Sequence, residues 1–577
     1  MKPFLTTQTL ALTPLSPVHI GCGEDFEPTN YIIADGLLYA FDPSRAVLTD
    51  LQRSKLTDVA RRGSLAGIQR FFRDNAAAFK PHAHVVMPVA SGVAAQYEKR
   101  LGEAANLESS GRSVFNQLEI ERHVFTGAQQ QPFIPGTSFK GALRTAWLDE
   151  LNGGRRPTYE DNVQRGSAQL EKRLLWGPGQ ERLLGDFQTS PLRLLKVGDL
   201  MPSREPEREV LFAVNRKKKL VLKNGQEAQP KGIAARKDCV LPGQYRLFEA
   251  SVTLPALLAH AGARNNKGQP IAPQCNQLTA DGAVDLARVA RRSNAYHLQR
   301  LRRELAVLDG RGLVNPDWKR GIETLLAPGG ELDGKLVAGQ AFLVRLGRYG
   351  GADNKTLSGE GVASIKIMGA KGEKPTFEST TKTVWLAAQF ESDQKHLIPF
   401  GWAMVEIDPA ADCQSLKSWC AAQARGRRNM ADVRTQLQAE KQAAEQQKAQ
   451  QVAEAARRAA AAEGERLAAQ ARAAALATMT EQGQLTEQLR QKCEEWFDQL
   501  QPKGNFKKQA ADAGKAGLYQ DADKLVKLAL GAGSAWSADD KTALAEMLEM
   551  WMPKVVDRWD AKEQRKKLKF GALRDNT

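Results

Sequence analysis

Residues 132–147 read Pro132, Phe133, Ile134, Pro135, Gly136, Thr137, Ser138, Phe139, Lys140, Gly141, Ala142, Leu143, Arg144, Thr145, Ala146, Trp147. Pro132 and Pro135 disfavour helix in the residue before each of them, so the stretch begins extended. Ala142, Leu143, Ala146, Trp147 and Leu148 then give an apolar stripe at three-to-four spacing, so it ends helical. The turn between carries Gly136, Thr137 and Ser138, with Lys140 and Arg144 on the first helical turns. Free N–H groups at a helix start, hydroxyls able to cap it, a positive dipole end and two cations suit an anion, phosphate above all. An ordinary capped helix after a loop competes on equal terms. A nucleotide P-loop does not, because Gly141 is followed by Ala142 and Leu143 rather than by Lys and a hydroxyl.

The chain around this stretch has 577 residues, which suggests about four domains. Hydrophobic residues make up 42%, enough for real cores. Lys and Arg number 82 against 66 Asp and Glu, a net charge of +16 that points to a polyanionic partner, nucleic acid first. An anionic membrane is the weaker choice, since no apolar run reaches the roughly 18 residues of a span and Lys2 opens a polar, Thr-rich start rather than a signal peptide. The six cysteines are scattered and form no C-x-x-C pair. Neither a metal site nor a disulfide framework is expected, no cofactor is implied, and a reducing, cytoplasmic setting follows.

Upstream, Thr9 to Ile20 leans to strand and ends in His19, Ile20, Gly21, Cys22, Gly23, with Glu24 and Asp25 beyond. Two glycines after a strand permit close backbone approach or a tight bend. A lone histidine at a strand end is more often packed than catalytic. Tyr31 to Ala34 and Leu37 to Phe41, joined by Asp35 and Gly36, read as a hairpin. Residues 45–80 read as helix, 100–113 as a loop, and Val114 to Thr126 as strand leading into the central turn.

Downstream, Leu192 to Val197 reads as a strand ending in Gly198 and Asp199. Val210 to Asn215 runs into Arg216, Lys217, Lys218 and Lys219, and an Asn224-Gly225 turn suggests a basic hairpin. Four adjacent cations are either a solvated face or the neighbours of an anion. Tyr245 to Leu254 is a further strand. Residues 279–307 form an amphipathic helix with Arg288, Arg292, Arg303 and, toward its edge, Arg300 on a basic face. Phe342 to Leu346 is a strand followed by Gly347, Arg348, Tyr349, Gly350, Gly351, with Lys355 and Thr356 after it, an echo of the first glycine turn. Strands at Thr383 to Ala388 and Trp402 to Ile407 follow. Residues 430–478, rich in Ala, Gln, Glu, Arg and Lys, form a long helix whose apolar seam is too weak for a strong coiled coil. The last hundred residues regain apolar periodicity and end in a basic tail, Lys562 to Lys569.

Four segments together resemble the RAMP superfamily of CRISPR-associated proteins: His19-Ile20-Gly21-Cys22-Gly23, Ile134 to Arg144, Val197-Gly198-Asp199 and Leu346-Gly347-Arg348-Tyr349-Gly350-Gly351. Their order and spacing are most similar to the type III-A (Csm) effector subunit that caps the crRNA 3′ end. The resemblance covers about residues 8 to 410, and the segment from about 430 onward exceeds what that subunit usually has. It implies an α+β fold of tandem RRM-like, ferredoxin-like (RAMP) domains with insertions over 1–205 and 206–428; composition and apolar spacing add a helical linker over 429–480 and a small all-α domain over 481–577.

The resemblance also implies that Gly136, Thr137, Ser138, Lys140, Gly141 and Arg144 hold RNA phosphates. His19, Gly21 and Gly23 would line the same groove, Gly347, Arg348 and Lys355 would do the equivalent in the second half, and Lys217 and Lys218 would add cations. The expected partners are crRNA and other type III effector subunits, chiefly the neighbouring backbone RAMP subunit, with target RNA and a maturation nuclease as further candidates. The protein would hold RNA and carry no catalytic residue. Two alternatives stand beside this: an endoribonuclease using Asp25 or His19, and a protein-interaction scaffold acting through 430–577.

Overall fold

The computed structural model describes residues 5–101, 104–107, 113–115, 118–127, 129–156, 170, 174, 190–223, 226–227, 234–255, 258–259, 264–269, 277–278, 285–368, 372, 374–500, 508–510, 517–557, 559 and 561–574. Helices and sheets are mixed throughout the larger of two compact units, Met1–Glu445; the smaller is Gln446–Thr577.

Two six-stranded sheets organise the larger unit. In the first, Leu5–Pro14 lies between Phe248–Pro255 and Trp402–Ile407, with Ala341–Arg345 beyond the latter and Lys196–Val197 and Met201–Pro202 beyond the former, all antiparallel. Strands from the beginning, middle and end of the unit therefore share one sheet, and the expected boundary at residue 205 runs through it. Alternate residues of this sheet, among them Leu10, Leu12, Phe248, Val252, Phe342 and Val405, bury against Phe139, Leu143 and Trp147 of helix Gly136–Asn152 and Leu286, Val289 and Ala290 of helix Leu286–Gly310. Period 2 on the strands and period 3.6 on the helices meet in one core, which fixes the central helix against the sheet.

The second sheet runs Gly21–Phe26, Ile120–His123, Ala235–Val240, Arg208–Lys217, Thr383–Ala388, Ile398–Pro399. Ala235–Val240 is parallel to Ile120–His123 and the other neighbours are antiparallel. Tyr31–Ala34 and Leu37–Phe41 form the expected hairpin, whose Asp35 and Gly36 both take positive φ, 54° and 71°, as a primed two-residue turn requires. With Ala83–Pro88 it makes a three-stranded sheet buried on both faces: Tyr31, Ile33 and Leu38 join one core, while Ile32, Tyr39 and Phe41 pack on Phe71, Phe72 and Phe79.

Several expectations are corrected. The helix of 45–80 is three pieces, Asp50–Arg61, Leu65–Asp74 and Ala76–Phe79, and Ser64 caps the second by accepting from Gly67 N–H. Within the loop of 100–113, Ala104–Leu107 pairs with Ser113–Phe115. Leu192 to Val197 is mostly a 3-10 turn, Pro191–Leu194, leaving only Lys196–Val197 as strand. The Asn224-Gly225 turn lies outside the described residues.

The long helix is Met430–Ala477, with Met430, Val433 and Leu437 packed beside Phe71 and Phe72 and no fully buried residue along its length. In the smaller unit, helices Glu481–Leu500, Leu518–Leu530 and Ala538–Val555 enclose a core of Leu489, Cys493, Val526, Leu544, Leu548 and Met552. A two-residue parallel pair, Gln509–Ala510 with Val556–Asp557, accompanies them. Among the described residues no helix is long and apolar enough to cross a membrane.

Candidate functional site

The two glycine turns meet. Gly347 takes φ +76° with its α-carbon against the carbonyl of His19, a position where a side chain would collide with backbone. The turn after the first strand of the chain is thus clamped to the turn after Ala341–Arg345, although more than three hundred residues separate them in sequence.

A cavity of about 700 Å³ opens where these turns face the start of helix Gly136–Asn152. Its walls are Gly21, Gly23, Glu24 and Asp25 from one side, Thr137, Ser138, Gly141 and Thr145 from the helix, and Gly347, Arg348, Gly350 and Lys355 from the other, with Glu121, Arg122 and Arg345 deeper. Eight of the predicted residues come together here: Gly21, Gly23, Thr137, Ser138, Gly141, Gly347, Arg348 and Lys355.

The remaining predicted residues lie elsewhere. Gly136 is buried, and its N–H donates to Asp199 Oδ1 at 2.8 Å. Any β-carbon on Gly136 would stand 2.7 Å from the carbonyl of Gly198. The Val-Gly-Asp segment therefore locks the helix start rather than leaving it open, a lock completed by reciprocal bonds between Ile134 and Leu200 at 3.1 and 2.9 Å. Lys140 does not line the cavity; its ammonium donates to the carbonyl of Leu195 at 2.8 Å, and burial holds its pKa below the usual lysine value. Arg144 also stands outside the lining. Only Thr137 and Ser138, ahead of the first intrahelical bond from Phe139 N–H to the carbonyl of Pro135, present the helix start to the cavity.

His19 sits behind the wall with a fully buried ring. Its Nδ1 is 2.7 Å from the carbonyl of Asp238, and its Nε2 is 3.8 Å from Glu121 Oε2. Glu121 also pairs with the buried ammonium of Lys237. The nearby His19 ring, reinforced by Lys237, holds the Glu121 carboxyl down at about 2, while burial first and Glu121 second push that of Asp25 up. From sequence Glu121 is one charged residue in an unremarkable strand and Lys237 one cation of a polar loop over 226–240; Lys237 in fact lies in strand Ala235–Val240, and only sheet pairing places both beside His19.

Two arginines of the predicted basic face turn inward, while Arg303 stays exposed. Arg292 stacks 3.5 Å over the ring of Trp147 and pairs with Glu150. Arg300 stacks over Tyr296 and donates to the carbonyl of Thr356. The run Arg216 to Lys219 divides as well. Arg216 is buried, donating to the carbonyls of Asp393 and Glu391; Lys217 ends its strand; Lys218 pairs with Asp353 at 2.7 Å; Lys219 is exposed. In the cavity, Arg122 is held by Glu24 at 3.0 Å and Arg345 by Glu304 at 2.8 Å. Arg348 and Lys355 are exposed and have no carboxylate partner among the described residues. Among those residues no His, Cys, Asp and Glu cluster suited to a metal ion occurs.

A glycine-floored groove with three hydroxyls and two cations that have no carboxylate partner among the described residues is the chemistry of a polyanion-backbone site. Residues 11–267, somewhat less than half of the chain, match the sequence pattern of the RAMP superfamily. A curated protein of Methanocaldococcus jannaschii, CRISPR system Cms protein Csm5, is 27% identical over 148 residues, which are 23% of this chain and 28% of that protein. Two solved structures are also similar. The crystal structure of T. onnurineus Csm5 is 13% identical, with TM-score 0.36, over 69% of this chain and 99% of its own. A chain of the cryo-EM Csm–crRNA–target RNA ternary complex of a type III-A CRISPR-Cas system is 14% identical, with TM-score 0.35, over 70% of this chain and all of its own.

Proposed function

We propose that this protein is a non-catalytic RNA-binding subunit of a type III-A effector complex, holding and capping the 3′ end of crRNA. Its larger unit would serve as a tandem RRM-like RAMP body and its helical second unit as an extension. One observation carries the reading. Gly141 lies in the second turn of a helix, exposed, lining the cavity, and among the described residues nothing beyond its chain neighbours and its own helix backbone comes within 4 Å of where a β-carbon would stand. Glycine inside a helix costs about 1 kcal/mol relative to alanine, and nothing in the protein packs there to require it. Close approach of a ligand backbone accounts for it, flanked by Thr137, Ser138, Arg348 and Lys355. Contacts of this kind fix a strand through phosphate and 2′-hydroxyl groups and leave sequence reading to base pairing.

The buried cluster supports holding over cutting. A general base needs access to the proton it removes, and His19 has none: its ring is buried and its Nδ1 is committed to Asp238. Glu121 stays ionised and paired. Partners in this reading are crRNA, the adjacent backbone RAMP subunit and, through the groove's continuation, target RNA, in the cytoplasm. The test is binding of a labelled single-stranded RNA to the full chain across a salt series, with cleavage followed in and out of Mg²⁺. Binding that weakens steeply with salt and leaves the strand intact is expected; absence of binding, or scission by the wild type lost in His19→Ala, overturns it.

A further inference from the structure

On the other side of the Gly350 to Asn354 turn lies a second cavity of about 890 Å³, sharing Arg345, Gly350, Gly351 and Asn354 with the groove. No part of the reading above uses it. Helix Leu286–Gly310 presents Arg300, Arg303 and Val307 to it, residues spaced to one face. Strand Thr383–Ala388 contributes Trp385, whose half-buried ring meets that of Tyr349 edge-on at 5.7 Å. Lys219, Ser379 and Thr380 stand exposed at its rim.

Three features describe what would fit. First, the lining joins the edge of Trp385 to apolar surface at Val307, which is 37% exposed. Second, Lys219 and Arg303 are exposed and have no acidic partner among the described residues, whereas Lys218 beside them is neutralised by Asp353. Third, Arg345 forms part of the wall between the two cavities with a side chain only 2% exposed, and its Nη2 has no hydrogen-bond partner although Nε and Nη1 are satisfied by the carbonyl of Phe400 and by Glu304. A buried donor without a partner is unfavourable, and a local shift of this wall on ligand binding would let it find one. Asn354 Oδ1, on the same shared wall, is unpaired as well.

We infer that this second cavity takes one unpaired nucleotide of the strand lying in the groove, its base against Trp385 and Val307 and its phosphate on Lys219 and Arg303. The inference rests on the RNA-binding reading. Stacking on an aromatic side chain is tolerant of base identity. The strand crosses the Gly350 to Asn354 turn, which acts as the ridge between neighbouring nucleotides. A free mononucleotide offers the same chemistry and is the other source to distinguish.

The experiment irradiates the full chain with single-stranded RNA carrying 5-iodouridine, or with 5-iodouridine monophosphate alone, and locates adducts by mass spectrometry while binding is followed separately. The strand is expected to label Trp385, and Val307→Glu to lower that yield at saturating strand by about 5-fold or more, the equivalent of one stacked base. Lys219→Ala with Arg303→Ala, both at exposed positions, should lower it in the same direction. Strand binding without an adduct at Trp385, or an adduct indifferent to both variants, overturns the pocket while leaving the groove intact. Labelling by the mononucleotide but not by the strand overturns it too, in favour of a free nucleotide. Absence of strand binding altogether instead fails the RNA reading itself.

Discussion

The backbone N–H of Gly136 donates to the carboxylate of Asp199 at 2.8 Å, so the helix start that heads the central motif is closed by the protein's own anion. Asp199→Ala removes the partner of a helix-terminal donor and should cost about 0.5–2 kcal/mol. Asp199→Asn should retain most of the stability, since its amide oxygen accepts the same bond. Urea denaturation of the three proteins measures this, and equal midpoints for Ala and wild type would show the contact to be incidental.

Lys140 and Arg348 should separate under salt. Lys140 is tied to the carbonyl of Leu195, whereas Arg348 and Lys355 face the groove. Arg348→Ala with Lys355→Ala should make the dependence of log Kd on log salt shallower by about 0.7 for each phosphate of the single strand that is no longer neutralised. Lys140→Ala should leave the slope unchanged and lower the denaturation midpoint instead. A shallower slope in Lys140→Ala would return that residue to the ligand.

Gly141 and Gly347 should respond oppositely to alanine. Gly141→Ala puts a methyl group into open space on a helix, so stability should rise by about 0.5–1 kcal/mol while RNA binding weakens. Gly347→Ala meets the carbonyl of His19 at a positive φ and should destabilise the chain. Thermal melts paired with binding isotherms check both. A Gly141→Ala protein that binds RNA as well as wild type would remove the argument on which the groove assignment rests.

Acid should destabilise the fold in two windows. Burial above all depresses His123 to about 4 and His297 to about 3 from 6.5, so below pH 6.5 the unfolded chain binds protons that the folded one refuses. Their contribution is complete above 6.5 and is lost progressively as pH falls toward 4 and 3, by at most about 1.4 kcal/mol per pH unit for each histidine. Glu121, held at about 2 against an ordinary 4.5, adds a loss between those two values. Urea midpoints at pH 7.5, 6 and 5 should fall in order, and more gently in His297→Gln. A pH-independent midpoint would contradict the burial of both rings.

Local pattern determined much of this protein. The Asp35-Gly36 hairpin, the strands Thr383–Ala388 and Trp402–Ile407, the extended-then-helical character of 132–147 and the helix from residue 430 follow from turn chemistry, apolar period and propensity, all of which act within a few residues. The two glycine turns were legible for the same reason. Their meeting was not, because the close approach of Gly347 to His19 depends on strand order in two sheets that interleave both ends of the unit. The fate of each cation was likewise hidden. Lys140, Arg216, Arg292 and Arg300 look like free charge along the chain, yet each is held by a carbonyl or a ring contributed from elsewhere, while Arg348 and Lys355 remain open to a ligand. A sequence sets how much charge a protein carries. Where that charge is neutralised is a matter of distance across the fold, since an ion pair or a stacked guanidinium acts over a few ångströms of space and is indifferent to separation along the chain.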